Sequence, residues 1–394
     1  ETIMSGITLM LLGNHAGAAG VTPAALWGWG GNYNGAAARN STEAGGRFSS
    51  PVQLGSASDW VAVEGSYNFV GTRESGYLYN CGDARFGGWN TALNTSSPIQ
   101  IGSLTNWTGP GTMLAQNGRS AAAIKSDGTL WKWGDNQGGV MGINQGQSAG
   151  PTDPYLYFSS PVQVGSLTTW SFCTGGGSGP ACAINNAGQL FTWGPGDYGG
   201  LGNNLSSGDV SSPVQIGSLT DWATGTSQLG SAGPYIFLLL KTDGSAWVWG
   251  NNDYGQVGVD SRINVSSPVQ LGSDTDWGYT GCGYQGMGAV KGGKLYLWGR
   301  NNNGEVGDGT VVGRSSPTQV GALTTWQAVE VGNGMAMALK TDGTLWAWGA
   351  NWEGQMGQDN LLKYSSPVQI GSLTDWSRIH CGSNGSSAFW GLKA

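Results

Sequence analysis

WQAVEVGNGMAMALKTDGTLWAWGANWEGQMG (326–357), followed by SSPVQIGSLTDW (365–376), decides the fold. Ser-Ser-Pro occurs seven times, at Pro51, Pro98, Pro161, Pro213, Pro268, Pro317 and Pro367. A tryptophan stands nine residues after each proline, at Trp60, Trp107, Trp170, Trp222, Trp277, Trp326 and Trp376. The prolines are 47, 63, 52, 55, 49 and 50 residues apart, so a constant core alternates with loops of varying length. Each copy carries four strand signals, which in the quoted stretch are QAVEV (A), AMALK (B), TLWAWG (C) and SSPVQI (D). Asp-Gly at 127–128, 243–244 and 342–343 predicts a two-residue B–C hairpin turn with positive φ. Proline at the start of D removes a ladder donor, which suits an outer edge strand.

The chain ends complement each other. The last copy stops after strand B, at SSAFWGLKA, and the chain's first repeat element is a C strand, LWGWG, at Leu26 to Gly30. N-terminal C and D strands therefore complete the blade whose A and B strands are C-terminal, which closes a ring of seven blades. The expected fold is all-β, a seven-bladed β-propeller over residues 21–394, with residues 1–20 as an apolar tail outside any blade.

The motifs LWxWG, Gly-x-apolar-Gly and SSPVQ-G-x-L-x-x-W resemble the regulator of chromosome condensation repeat family. The resemblance covers roughly residues 21–394 and implies a seven-bladed propeller. The family's eukaryotic archetype is a nucleotide-exchange factor that also binds nucleosomes; other members are secreted inhibitors or interaction modules. The family often carries His in the A–B turn, where this chain has Asn333-Gly334, Tyr284-Gln285 or Asn384-Gly385. With its acidic balance, the chain is expected to be a member that is not an exchange factor.

Composition narrows the function. Net charge is −7, and the 17 basic residues form no run, which argues against nucleic acid or anionic lipid as a partner. The run Ile7 to Leu12 is too short to span a bilayer. Two histidines and no CxxC pair make a zinc site improbable, and no cofactor is expected. Of the 20 tryptophans, nearly all fall in repeat slots and read as packing, and only Trp352 stands off the pattern. Asp127, Asp243 and Asp342 read as turn chemistry rather than acid–base catalysts. Cys282 and Cys381 share a slot, Cys81 replaces the strand C tryptophan, and Cys173 and Cys182 lie on adjacent strands where a disulfide is geometrically conceivable. A cysteine nucleophile lacks a histidine to activate it, and no clustered carboxylates or histidines are visible on one face. The expectation is no catalytic residue, no metal site and no enzyme.

What varies between copies marks a surface. Strand alternation sends the A–B and C–D loops to one face and the B–C turns and D–A links to the other. Length variation gathers on the first face, in the C–D loop Ile143 to Phe158 and the A–B loops 175–180 and Gln228 to Tyr235. The candidate binding residues there are Tyr33, Arg85, Phe86, Tyr155, Tyr157, Phe158, Tyr198, Tyr254 and Trp352. The candidate assembly tail is Ile7, Leu9, Met10, Leu11 and Leu12. These readings combine into a non-enzymatic, extracellular structural or binding protein. The leading expectation is an accessory or fibre-type virion protein of a phage, attached through its tail. The expected partners are other subunits, with a host surface protein or glycan possible. The alternatives are a subunit of an extracellular filament and a secreted inhibitor-like propeller.

Overall fold

The computed structural model describes residues 22–31, 47–65, 68–82, 95–108, 114–116, 120–145, 157–175, 179–224, 230–382 and 388–393. They form seven four-stranded antiparallel sheets. Blades are numbered here from the one that opens at Trp60, and strands run A to D from the axis outwards. Blade 7 combines both chain regions: Trp376–Cys381 and Ala388–Lys393 supply A and B, and Ala25–Gly31 and Arg47–Gln53 supply C and D. Its closing pair runs in continuous register from Ala25↔Lys393 to Gly30↔Ala388. The propeller and its mode of closure are as the repeat implies.

The alternation of side chains explains the core. In strand C of blade 6 (Leu345–Gly349), Leu345, Ala347 and Trp348 are buried, and Trp346 is half-buried. The strand C tryptophans Trp29, Trp133, Trp193, Trp249, Trp298 and Trp348 are nearly inaccessible. Five of them donate an indole N–H to a carbonyl in the C–D turn of the preceding blade. The pairs are Trp29 to Gln355 (2.9 Å), Trp193 to Val140 (2.8 Å), Trp249 to Gly200 (3.0 Å), Trp298 to Gln256 (2.8 Å) and Trp348 to Glu305 (2.9 Å). The second glycine of Gly-x-apolar-Gly permits this approach: a Cβ on Gly258 would lie 2.7 Å from the Trp298 indole nitrogen. Blade 1 breaks the pattern, because Cys81 replaces its tryptophan and the Trp133 indole has no partner among the described residues.

Ser-Ser-Pro also works between blades. Strand D is bulged there, for Ala347 pairs with Val368 but Gly349 pairs with Tyr364. The serines so lifted meet the preceding blade's C–D loop: Ser49 and Ser50 donate to Asp359, and Ser315 donates to Asp260. Asp260 and Asp359 adopt left-handed backbone, as do Asn144 and Asn204 in the same slot.

Four local expectations are corrected. The Asp-Gly link is a three-residue loop, with Lys340 bonded to Thr344 and only Gly343 at positive φ (76°). That is a type I turn followed by a left-handed glycine, and the true two-residue turn is Gly292-Gly293 of blade 5. Strand A does not always follow its tryptophan directly. In blades 2 and 4 it starts at Leu114 and Gly230, and Trp107 and Trp222 keep only isolated bridges to Lys125 and Lys241. Gly230–Gly233 is therefore strand A of blade 4, not loop, and its A–B turn is only Pro234-Tyr235. Finally, Cys173 pairs with Ala183 while Cys182 pairs with Thr174, so the two thiols face opposite sides of the blade and enter different core clusters. A disulfide between them is excluded by the pleat, and both are free.

Two outcomes follow from this packing. Trp298→Phe strands the Gln256 carbonyl, whereas Trp133→Phe removes an unbonded N–H. Trp298→Phe should cost about 1–2 kcal/mol more in urea unfolding than Trp133→Phe, and equal losses would reject the role given to the bond. All five cysteines are buried thiols, so Ellman's reagent should find none in the folded chain and five after denaturation.

Candidate functional site

The A–B and C–D loops surround one end of the axis. In blade 3, strand C (Leu190–Gly194) leads into a single 3-10 turn, Asp197–Gly199, and Tyr198 stands at φ 58°, ψ 16° within it. The same turn of blade 2 places Gly138 there, at φ 67°, ψ 15°. In blade 4, Pro234-Tyr235 joins A to B, with Tyr235 at φ 60°. Blade 6 holds that corner with Gly334, at φ 76°. Two tyrosines thus occupy left-handed positions that one sister blade each fills with glycine, Gly138 and Gly334, at a strain of about 1 kcal/mol each. They meet: their ring centroids are 5.3 Å apart at 65°, edge to face.

Further aromatic and polar groups continue around the face. Asp197, Asp209, Tyr198 and Tyr284 all act electrostatically on the Tyr235 hydroxyl, which burial and these neighbours hold above the usual phenol range. Tyr198 and Tyr284 are 44% and 40% exposed, which makes their rings available to a partner. Arg300 of blade 5 lies over the Tyr254 ring at 5.9 Å and donates to Gln285 at 2.6 Å. Lys363 lies over Trp352 at 5.5 Å and donates to Asn303 at 2.8 Å.

Of the residues expected from the sequence, Tyr198, Tyr254 and Trp352 stand on this face. Tyr157 opens strand D of blade 2 (Tyr157–Gln163) as an exposed residue, and Phe158 beside it is half-buried against Gly134. Tyr33, Arg85, Phe86, Tyr155 and the tail residues Ile7, Leu9, Met10, Leu11 and Leu12 lie outside the described residues. Tyr235 and Tyr284 were missed as members. The signal was a tyrosine standing directly after Pro234, where Gly334 stands in blade 6.

The opposite face is built from fixed pieces. Asp127, Asp243 and Asp342 each accept from the backbone N–H and hydroxyl of the Thr or Ser two residues on. Those bonds hold their carboxyls below the ordinary range, as turn chemistry requires. The hydroxyls then accept from Trp131, Trp247 and Trp346.

The axis carries a cluster that the sequence did not show. Strands A of blades 1, 5, 6 and 7 direct Glu64, Tyr279, Glu330, Arg378 and His380 inwards. Tyr279 donates to Glu330 at 3.0 Å, His380 Nδ1 is 3.7 Å from Glu330, and His380 Nε2 donates to the Gly65 carbonyl at 2.8 Å. Burial pushes the Glu330 carboxyl up to about 8, and Glu64 up as well, with the Glu330 charge adding to its rise and Arg378 opposing it. Burial takes His380 down to about 4, against the pull of the Gly65 carbonyl. Burial thus favours the neutral forms of both the Glu330 carboxyl and the His380 imidazole. Tyr279 thus ties blade 5 to blade 6 and His380 ties the closing blade to blade 1, and the cluster contains no nucleophile with an activating base.

The cluster makes stability depend on pH. Folded Glu330 holds its proton to a higher pH than unfolded Glu330, so its contribution is lost as pH rises towards 8. His380 acts oppositely, and stability falls as pH drops from about 6.5 through 4. Buried Lys132, lowered to about 7 by desolvation, adds stability as pH rises above 7. The clean measurement is the difference between Glu330→Gln and the parent chain. Between pH 6.5 and 8 the variant should gain about 1–2 kcal/mol on the parent in urea unfolding. A constant difference would reject the assignment.

Comparison with known proteins agrees with this architecture. Models of the regulator of chromosome condensation (RCC1) repeat match residues 230–256, 292–339 and 342–389. The chain is 26% identical over 214 residues to an RCC1 domain-containing protein, RUG3, of Arabidopsis thaliana, covering 52% of this chain and 45% of that protein. It is 31% identical over 162 residues to the ultraviolet-B receptor UVR8 of the same plant, covering 40% and 33%. It is 24% identical over 214 residues to the mouse E3 ubiquitin-protein ligase HERC2, covering 52% of this chain and 4% of the ligase. The chain thus spans under half the length of these curated relatives. Among solved structures, Prp20p of Saccharomyces cerevisiae superposes with a TM-score of 0.77 at 18% identity, covering 95% of this chain and 92% of that one. Human WBSCR16 superposes with a TM-score of 0.76 at 17% identity, covering 94% and 98%. Matching repeat models and a ring of seven four-stranded blades make the chain a seven-bladed β-propeller that carries RCC1-type repeats.

Proposed function

We propose that this chain is a non-enzymatic protein-binding propeller whose A–B and C–D loop face receives the partner. The carrying observation is the array of exposed rings, Tyr198, Tyr284 and Trp352, on a rigid face, with Tyr198 and its half-buried neighbour Tyr235 each on left-handed backbone that one sister blade gives to glycine. Strain of that kind accumulates where a surface is kept for recognition rather than stability. The yeast neighbour Prp20p supports the reading, since its structure was described together with binding to Gsp1p and histones. The chain's net charge of −7 favours a protein partner over a polyanion.

The finer reading is an accessory or fibre-type virion subunit of a phage, acting outside the cell and held by the apolar segment Ile7 to Leu12. Its support is the low-charge, glycine-rich composition and that segment, together with the absence of a catalytic constellation among the described residues.

Two manipulations test the proposal. Particles or culture fluid from the source are cross-linked to the purified chain, and captured proteins are compared between Tyr284→Ala/Trp352→Ala and a B–C face variant, Asp342→Ala. A partner lost only with the loop-face variant supports the binding face, and equal capture by both rejects it. Removal of residues 1–20 should abolish incorporation into particles and leave loop-face binding intact. Unchanged incorporation would reject the virion attachment, and measurable glycan turnover by the purified chain would reject the non-enzymatic reading.

A further inference from the structure

We infer that the corner formed by Tyr198, Tyr235 and Tyr284, with Asp197 and Asp209, takes an arginine side chain of the partner. The inference deepens the proposed binding face and rests on it. Geometry carries it first. Edge-to-face contact between Tyr198 and Tyr235 fixes two rings at an angle, and such a pair leaves a ring face open. An aromatic face attracts a cation that comes within about 6 Å of its centroid.

Charge carries it second. Asp197 and Asp209 are exposed beside the rings, and neither pairs with a cation among the described residues. Asp209 accepts only a long bond, 3.4 Å, from the Gly196 amide. Elsewhere on this face the chain supplies its own cations to the rings, with Arg300 on Tyr254 and Lys363 on Trp352. The corner has the same aromatic chemistry with two carboxylates added and no basic residue of its own. A planar guanidinium suits it, because it can lie on a ring and donate to a carboxylate at once.

Backbone conformation carries it third. Tyr198 is exposed and occupies a step that blade 2 gives to Gly138, so its ring adds strain and little burial. Replacing it by glycine should leave the fold at least as stable while removing the ring, so loss of binding would not reflect unfolding.

The test uses the full chain and two small probes, Nα-acetylarginine amide and its neutral isostere Nα-acetylcitrulline amide, followed by calorimetry and tyrosine ring resonances. The arginine probe should bind in roughly the millimolar range, more weakly at high salt, and the citrulline probe should not bind detectably. Tyr198→Gly should weaken arginine binding about tenfold with no loss of Tm, and Asp197→Asn about fivefold. Trp352→Ala should change nothing. Equal binding of the two probes, no arginine binding, or arginine binding indifferent to Tyr198→Gly would each overturn the inference. The wider reading of the face stands or falls separately, on whether Tyr284→Ala/Trp352→Ala loses the captured partner.

Discussion

A single repeated hydrogen bond organises the ring. An indole N–H from strand C of one blade reaches a carbonyl in the C–D turn of the blade before it, five times among the described residues. A blade buries its two faces against neighbours, but apolar packing alone is non-directional and does not fix how far one sheet slides over the next. The bond supplies that register. It joins a tryptophan to a tight turn in the preceding blade, with a glycine directly beneath the indole in four of the five cases. This explains why LWxWG and Gly-x-apolar-Gly travel together. The Ser-Ser-Pro bulge adds a second clasp outside the first, with left-handed Asn or Asp residues meeting the lifted serines.

Much of this was legible because it repeats. Seven Ser-Ser-Pro copies and the complementary ends give the number of blades and the closure. What the motifs did between blades was not legible, since a one-dimensional pattern does not say which copy a tryptophan touches. Ser-Ser-Pro read as an edge-strand device and turned out to be an inter-blade clasp as well. Asp342-Gly343 read as a two-residue turn because the flanking pattern alone does not count loop residues. Cys173 and Cys182 were near in sequence, and only the strand register placed them on opposite faces. Among the candidate site residues, Tyr198 and Tyr254 could be seen as departures from a repeated slot. Tyr235 offered only its place after Pro234, because its meaning lies in a backbone angle. The axial cluster was invisible for another reason: Glu64, Glu330 and His380 share the slot four residues after the tryptophan, Tyr279 and Arg378 share the slot two residues after it, and they meet only once the ring is closed.

The two polar regions divide the work of the molecule. At the axis, polar groups face inwards, and hydrogen bonds join blade 5 to blade 6 and blade 7 to blade 1. On the loop face, rings and carboxylates are left pointing outwards and the backbone tolerates strain to hold them. A repeat fold suits such a division, because each loop is fixed at both ends by a strand that packs on neighbouring blades. The face can therefore vary residue by residue without loosening the frame.

The closing pair has a geometric consequence. Ala25 and Lys393 are direct partners at the end of blade 7 where B–C turns emerge. The chain therefore enters and leaves the ring at neighbouring points, both on the side away from the tyrosines. The aromatic face thus lies at the opposite end of the axis from both points. Which face lies away from the chain's entry and exit is set by which two strands close the circle.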